Sequence, residues 1–178
     1  GLAYRWAKAG YKVMIGSRSI EKASQAVNDL LSILPLRCEI EGKTNTEVAQ
    51  ISEIIVLTVP YLAHAETLMG IKPYIQGKIL VDVTVPLAPP KVTRVQMPPA
   101  GSAAQEAQII VGEETQVVSA FQNISHEHLL NDEPVNCDVL VCGSGKAARS
   151  VVLELVKAAQ IVLRNTLTIL GVKAPESM

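Results

Sequence analysis

The turn Gly16-Ser17-Arg18-Ser19, with Lys22 one helical turn further on, holds the residues best suited by type and spacing to bind a ligand. A hydroxyl, a guanidinium fork and an ammonium so close together make a site for a dianion. The turn follows a short apolar stretch, Val13-Met14-Ile15, that reads as a buried strand, and it leads into a helix start. In a nucleotide-binding α/β fold, the end of the second strand is where the adenine ribose is read. An acidic residue there binds the 2′-hydroxyl of NAD, whereas an Arg suits the 2′-phosphate of NADP. The same residues also suit a plain helix cap, with Ser17 or Ser19 as N-cap and Arg18 solvated.

Other chemistry-bearing residues give weaker signals. His64 falls in the first turn of an expected helix, where a lone His is more often solvated or structural than catalytic. His126 and His128 are two apart and point to different helix faces, so they do not form a helical metal pair. Gly143-Ser144-Gly145-Lys146 lacks the spacing of a phosphate loop. Cys38, Cys137 and Cys142 are odd in number and scattered, which fits a reducing cytoplasm and buried, inert thiols. No triad, carboxylate pair or metal set stands out, so no catalytic side chain and no metal site is expected.

Elements must position the dianion turn, and the composition suits them. The chain has 178 residues, 48% hydrophobic but only 3% aromatic, so Ala, Val, Ile and Leu build the interior, as in parallel strands covered by helices. A net charge of −1 gives no basic field for nucleic acid. No apolar run reaches the roughly 18 residues that span a membrane, and no signal-peptide pattern opens the chain. GLAYRWAKAGYKV reads as the latter part of a helix, with Gly10 past its end, feeding the first strand. That is half of a βαβ unit, whose first strand and glycine loop are expected before residue 1.

A helix follows from Ile20 to Leu34, ended by Pro35, and then a short strand from Cys38 to Ile40. Asn45 or Thr46 should cap a helix through Gln50. Ile54 to Val59 reads as a central parallel strand stopped by Pro60-Tyr61. Ligands bind at the carboxyl ends of such strands, so Thr58, Val59, Pro60 and Tyr61 are candidate cofactor neighbours. Leu62 to Met69 is helical, and Lys78 to Val83 is a strand interrupted by Asp82, which is either near its open end or paired. Val85 to Pro90 is a rigid loop, either the wall of a pocket or a mere connection. Ser102 caps a helix from Ala103 to Ile110. Gln116 to Ala120 and Cys137 to Cys142 are strands with a short helix between them, and Lys146 to Ala159 is a helix. The tail adds an apolar helix from Ile161 to Leu170.

Several long blocks carry a specific resemblance. GLAYRWAKAGYKVMIGSRSIEKA, EIIVLTVPYLAHAETL, GKILVDVTVPLAPPKVTRVQMPPAGSAAQEAQ, VVSAFQNIS and CDVLVCG together resemble the F420-dependent NADP reductases, up to about Lys157. The resemblance implies an α/β fold: a Rossmann-type, doubly wound and mainly parallel sheet with a small helical C-terminal part. It divides the chain into an NADP-binding domain over 1–158 and a helical segment over 159–178. It implies NADP(H) and coenzyme F420 as small-molecule substrates, a homodimer, and no nucleic-acid or membrane partner. Ser17, Arg18 and Lys22 would grip the 2′-phosphate, and Thr58, Val59, Pro60 and His64 would line the dinucleotide. Pro86 and Leu87, with Ala120, Phe121, Gln122, Asn123 and Ile124, would approach the nicotinamide and the deazaflavin.

The chain departs from the family pattern in two places. Gly1 resembles the glycine that follows the phosphate fingerprint, which is therefore expected upstream. The run from Lys157 to Val162 lacks the family's Asp-Ala-Gly-Pro-Leu segment, so a piece is expected between about Ala159 and Gln160.

The chemistry implied is direct hydride transfer between two cofactors, for which the protein supplies position and dryness. Two rival readings fit the same scaffold. One is an NADPH-dependent reductase of another small acceptor, with His64, His126 or His128 as proton donor. The other is a non-catalytic NADP(H)-binding module.

Overall fold

The computed structural model describes residues 1–87, 94–131, 133, 135 and 137–159. The C-terminal helix expected from Ile161 and residues 88–90 of the expected rigid loop lie outside them. The elements run α1 (Leu2–Lys8), β1 (Val13–Ser17), α2 (Ile20–Leu31), β2 (Ile40–Thr44), α3 (Asn45–Ile51), β3 (Ile54–Leu57) and α4 (Tyr61–Ile71). They continue with β4 (Ile79–Asp82), α5 (Ala103–Val111), β5 (Gln116–Ser119), β6 (Cys142–Gly143) and α6 (Lys146–Ala158). The alternation of strand and helix is the α/β class expected.

The strands form two ladders. β1 and β2 pair in parallel, from Val13 beside Ile40 to Ser17 beside Thr44. The second ladder has the order β3-β4-β5-β6. Its first three strands are parallel, so Leu57, Asp82 and Ser119 end them side by side. β6 is antiparallel to β5.

Local sequence explains most boundaries. α1 ends in a Schellman turn: the Gly10 N–H reaches Ala7 O at 3.1 Å and the Tyr11 N–H reaches Trp6 O at 3.0 Å. Gly10 takes the required positive φ of 93°. Ser19 caps α2 and Ser102 caps α5. α2 stops at Leu31 rather than Leu34, because the chain tightens there and turns Leu34 into the core.

Pairing overrides propensity in β2. The strand falls on Ile40–Thr44 rather than Cys38–Ile40, because register with β1 enlists Gly42 and Lys43. Gly42 is required by close approach: a Cβ there would lie 2.9 Å from the Ala23 carbonyl carbon and the Ser24 nitrogen of α2. The cap of α3 is Thr44, not Asn45 or Thr46. Thr44 and Glu47 form a reciprocal capping box. The strand expected over Cys137–Cys142 shrinks to Cys142–Gly143. The preceding stretch is held by packing of Val139 and by the Asn123 side chain, which donates to Asp138 O at 2.6 Å. The short helix expected after Ser125 is a 3₁₀ turn over His126–Leu129. All three cysteines are free, but none is buried as expected: Cys38 and Cys137 are half-buried and Cys142 is exposed.

Three apolar clusters make the core. One joins β4, β5 and α6 through Val81, Val118, Val152 and Val156. A second packs α4 and α5 on the sheet through Leu68, Leu80 and Ala107. The third belongs to β1, α2 and β2. α1 connects two of them. Tyr4 and Ala7 enter the third cluster, while Trp6 enters the first. The indole N–H donates to Leu155 O at 2.8 Å.

Candidate functional site

The dianion turn sits at the carboxyl end of β1. Ser17 is half-buried and its Oγ accepts from the Ser19 N–H at 3.3 Å. Ser19 caps α2 through the Lys22 N–H and also donates to Glu21, so the nearest carboxylate is engaged locally. Arg18 and Lys22 are exposed, and neither has an ion-pair partner among the described residues. Two unspent cations and a hydroxyl at a strand end suit a phosphate dianion. The capping role given to Ser19 holds, and it leaves the Arg18 and Lys22 side chains uncommitted to the cap.

Beyond β3 the chain exposes Thr58 and Pro60 and half-buries Val59; Pro60 is the N-cap of α4. Beyond β4, Pro86 is buried and Leu87 is 41% exposed. Beyond β5, Ala120 and Phe121 are buried, Gln122 and Ile124 are half-buried and Asn123 is exposed. Phe121 has a φ of 70°, the sole positive value among described non-glycine residues. Such a conformation in a bulky residue persists only where its surroundings over-determine it. Here the ring meets Trp6 edge-on with centroids 5.8 Å apart. The twist after β5 aims Gln122 back at the neighbouring strand, where its Nε2 donates to Asp82 O at 2.7 Å and Ser119 Oγ at 2.8 Å.

His64 departs from the open, cofactor-lining position expected of it. It is completely buried, as is Asp82 at the end of β4. His64 Nε2 and Asp82 Oδ2 lie 3.2 Å apart. His64 Nδ1 lies 3.4 Å from Glu106 Oε2, close enough for attraction but off the line of a hydrogen bond. Tyr61, one turn earlier on α4, stacks at a tilt 5.8 Å from the imidazole. Burial, and then a hydrogen bond to Glu106, push its phenol above the ordinary range. Asp82 thus satisfies both halves of its sequence reading, since it lies at the strand end and is paired. Glu106 was not legible in advance, because nothing in the first turn of α5 ties it to a histidine on α4.

A cavity of about 1040 Å³ lies between the two ladders, lined by β1, by β3 and by Leu2 and Trp6 of α1. Thr58, Val59, Phe121 and Ile124 line it, but Ser17, Arg18, Lys22, Pro86, Leu87 and Gln122 do not. The candidate residues therefore divide between the cavity and the outer strand ends. The cavity's lining is largely apolar and comes from the facing edges of β1 and β3.

Comparison with known proteins agrees with this architecture. Residues 1–86 match the family described as NADP oxidoreductase coenzyme F420-dependent. The F420-dependent NADP reductase of Methanocaldococcus jannaschii is 41% identical over 162 residues, covering 87% of this chain and 72% of that protein. The enzyme of the same name from Methanothermobacter thermautotrophicus is 38% identical over 161 residues, covering 87% and 69%. Among solved structures, a candidate F420-dependent NADP-reductase from Arthrobacter sp. FB24 superposes with a TM-score of 0.71 at 22% identity, covering 89% of this chain and 77% of that one. Pyrroline carboxylate reductase of Plasmodium falciparum, solved with NADP bound, gives 0.55 at 17%, covering 96% and 57%. These two likenesses concern the fold alone. Residues 114–178 also match the DALR anticodon binding domain. The described part of that stretch is no separate unit, since β5 pairs with β4 along its length and α6 packs on β5.

Proposed function

The chain belongs to the F420-dependent NADP reductases, and we propose that its hydride-transfer site runs across the carboxyl ends of β1, β3, β4 and β5. It is an oxidoreductase that passes a hydride between NADP(H) and the deazaflavin coenzyme F420. When both are bound, nicotinamide C4 and deazaflavin C5 exchange the hydride directly. The protein's own work is to bind, align and desolvate.

The observation that carries the assignment is the unpaired Arg18 and Lys22 beside Ser17 at the end of β1. They hold the 2′-phosphate and so select NADP over NAD. Thr58, Val59 and Pro60 line the dinucleotide where it crosses β3. Pro86 and Leu87, with Ala120 to Ile124, wall the place where the two rings meet. Ala120 is small enough to allow close approach, and Phe121 and Pro86 are apolar and exclude water. His64 lies buried beneath that wall and does not reach its surface. No proton donor is needed for a hydride passed between two rings. This favours the reductase of a deazaflavin over a reductase of an imine or ketone, because the histidine nearest the strand ends is locked between carboxylates.

Residues 1–158 are assigned to the NADP-binding domain. The protein works as a homodimer in the cytoplasm. The three free cysteines support that compartment. The decisive experiment follows NADPH absorbance with F420 as acceptor. Turnover with NADPH and little with NADH is expected. Tight NADPH binding without electron exchange would overturn the reading in favour of a binding module.

A further inference from the structure

One polar cluster serves no step in that reading, although it lies directly under the site. Asp82 is the last residue of β4, and none of its side chain reaches solvent. Its Oδ1 accepts from the Thr84 N–H at 3.0 Å and its Oδ2 meets His64 Nε2 at 3.2 Å. Its main-chain oxygen accepts from the Ala120 N–H at 3.3 Å and from Gln122 Nε2 at 2.7 Å. One residue therefore fixes the chain leaving β4, towards Pro86 and Leu87, and the chain leaving β5, through Ala120 to Gln122. His64 reaches it from α4, and Glu106 of α5 stands on the other side of the imidazole, with Tyr61 hydrogen-bonded to that carboxylate.

Burying a carboxylate is costly unless it is paired and hydrogen-bonded. His64 Nε2 is the partner at Oδ2, while Nδ1 faces Glu106 Oε2 at 3.4 Å without hydrogen-bond geometry. The arrangement is therefore a latch, in which α4 and α5 hold Asp82 and Asp82 holds both walls of the ring site.

We infer that His64, Asp82 and Glu106 are positioning residues for hydride transfer, a latch that fixes the segments after β4 and β5 against each other. The inference rests on the reductase reading, since those segments matter only if the rings meet there. His64→Leu removes both ring nitrogens. It should lower kcat about ten-fold or more, because small misplacements of reacting groups are that costly. The KM for NADPH should stay within about two-fold, because Ser17, Arg18 and Lys22 lie on a different ladder. Asp82→Asn keeps the shape: its oxygen still accepts from Thr84, and its amide donates to His64 Nε2 once the ring proton sits on Nδ1. This variant should retain kcat within about three-fold.

A cofactor-free readout accompanies the kinetics. Amide exchange at Thr84 should quicken about ten-fold or more in His64→Leu and stay near wild type in Asp82→Asn. A folded His64→Leu protein with wild-type kcat and Thr84 protection would overturn the inference. So would an Asp82→Asn protein that loses as much as His64→Leu. Should His64→Leu not fold, the wild-type chain decides: a slowly exchanging imidazole N–H supports the latch, and rapid exchange with water overturns it. If the wild type shows no F420-dependent turnover, the reductase reading fails by itself. The Thr84 and imidazole measurements would still judge the latch.

Discussion

At the scale of residues, the proposed reading of the 2′-phosphate rests on two exposed cations with no ion-pair partner among the described residues. A hydrogen bond to a charged group contributes about 1.5–3 kcal/mol. Arg18→Ala should therefore raise the KM for NADPH about ten-fold or more. NADH kinetics should stay unchanged, and steady-state rates with both nucleotides check this. An equal loss for both would mean that Arg18 supports the fold rather than reads the ribose. Phe121 poses the opposite problem, because its backbone is strained and its ring is buried. Alanine keeps a Cβ at the same positive φ, so truncation relieves no strain and only empties the core. Phe121→Ala should cost about 3–5 kcal/mol, read from the shift of the urea midpoint at constant slope.

At the scale of elements, α2 carries Lys22 and is seated by Gly42 of β2. Gly42→Ala would push the first turns of α2 outward and take Lys22 with them. It should lower NADPH affinity as well as stability, which titration calorimetry and thermal melting check together. The cap of α3 makes a prediction about pH. Hydrogen bonds from the Thr44 side chain and N–H hold the exposed Glu47 carboxyl below its ordinary value of 4.5. A carboxyl lowered on folding adds stability that is complete above the unfolded value and is lost as pH falls through the folded one. Amide exchange in the first turn of α3 should therefore rise below about pH 4.5. Glu47→Gln should show no such rise.

At the scale of the whole molecule, the two ladders share no strand-to-strand hydrogen bonds among the described residues, and α1 joins their cores from two faces. Trp6 is the chain's single tryptophan, and it is buried in the larger ladder's cluster. If α1 couples the halves, the molecule unfolds as one unit. Urea transitions followed by Trp6 emission and by far-ultraviolet circular dichroism should then coincide. Separate midpoints would mean that the β1–β2 half melts independently.

Much of this was legible in the residues alone. Alternating apolar runs and caps determined the α/β class, the parallel strands at Ile54, Ile79 and Gln116, and the cap Ser102, and they narrowed the cap of α2 to Ser17 or Ser19. Gly10 marked the end of α1, and Ser17, Arg18 and Lys22 marked a turn that carries two exposed cations at a strand end. These are local signals, set by periodicity and by backbone groups that need partners within a few residues. Other features were decided by contacts between segments distant in sequence. Register with β1 moved β2 onto Ile40–Thr44, and core packing of Val139 left the Cys137–Cys142 run with only two strand residues. The burial of His64 between Asp82 and Glu106 was decided the same way. A histidine's role depends on what surrounds it, and its surroundings here come from three elements that only the folded chain brings together.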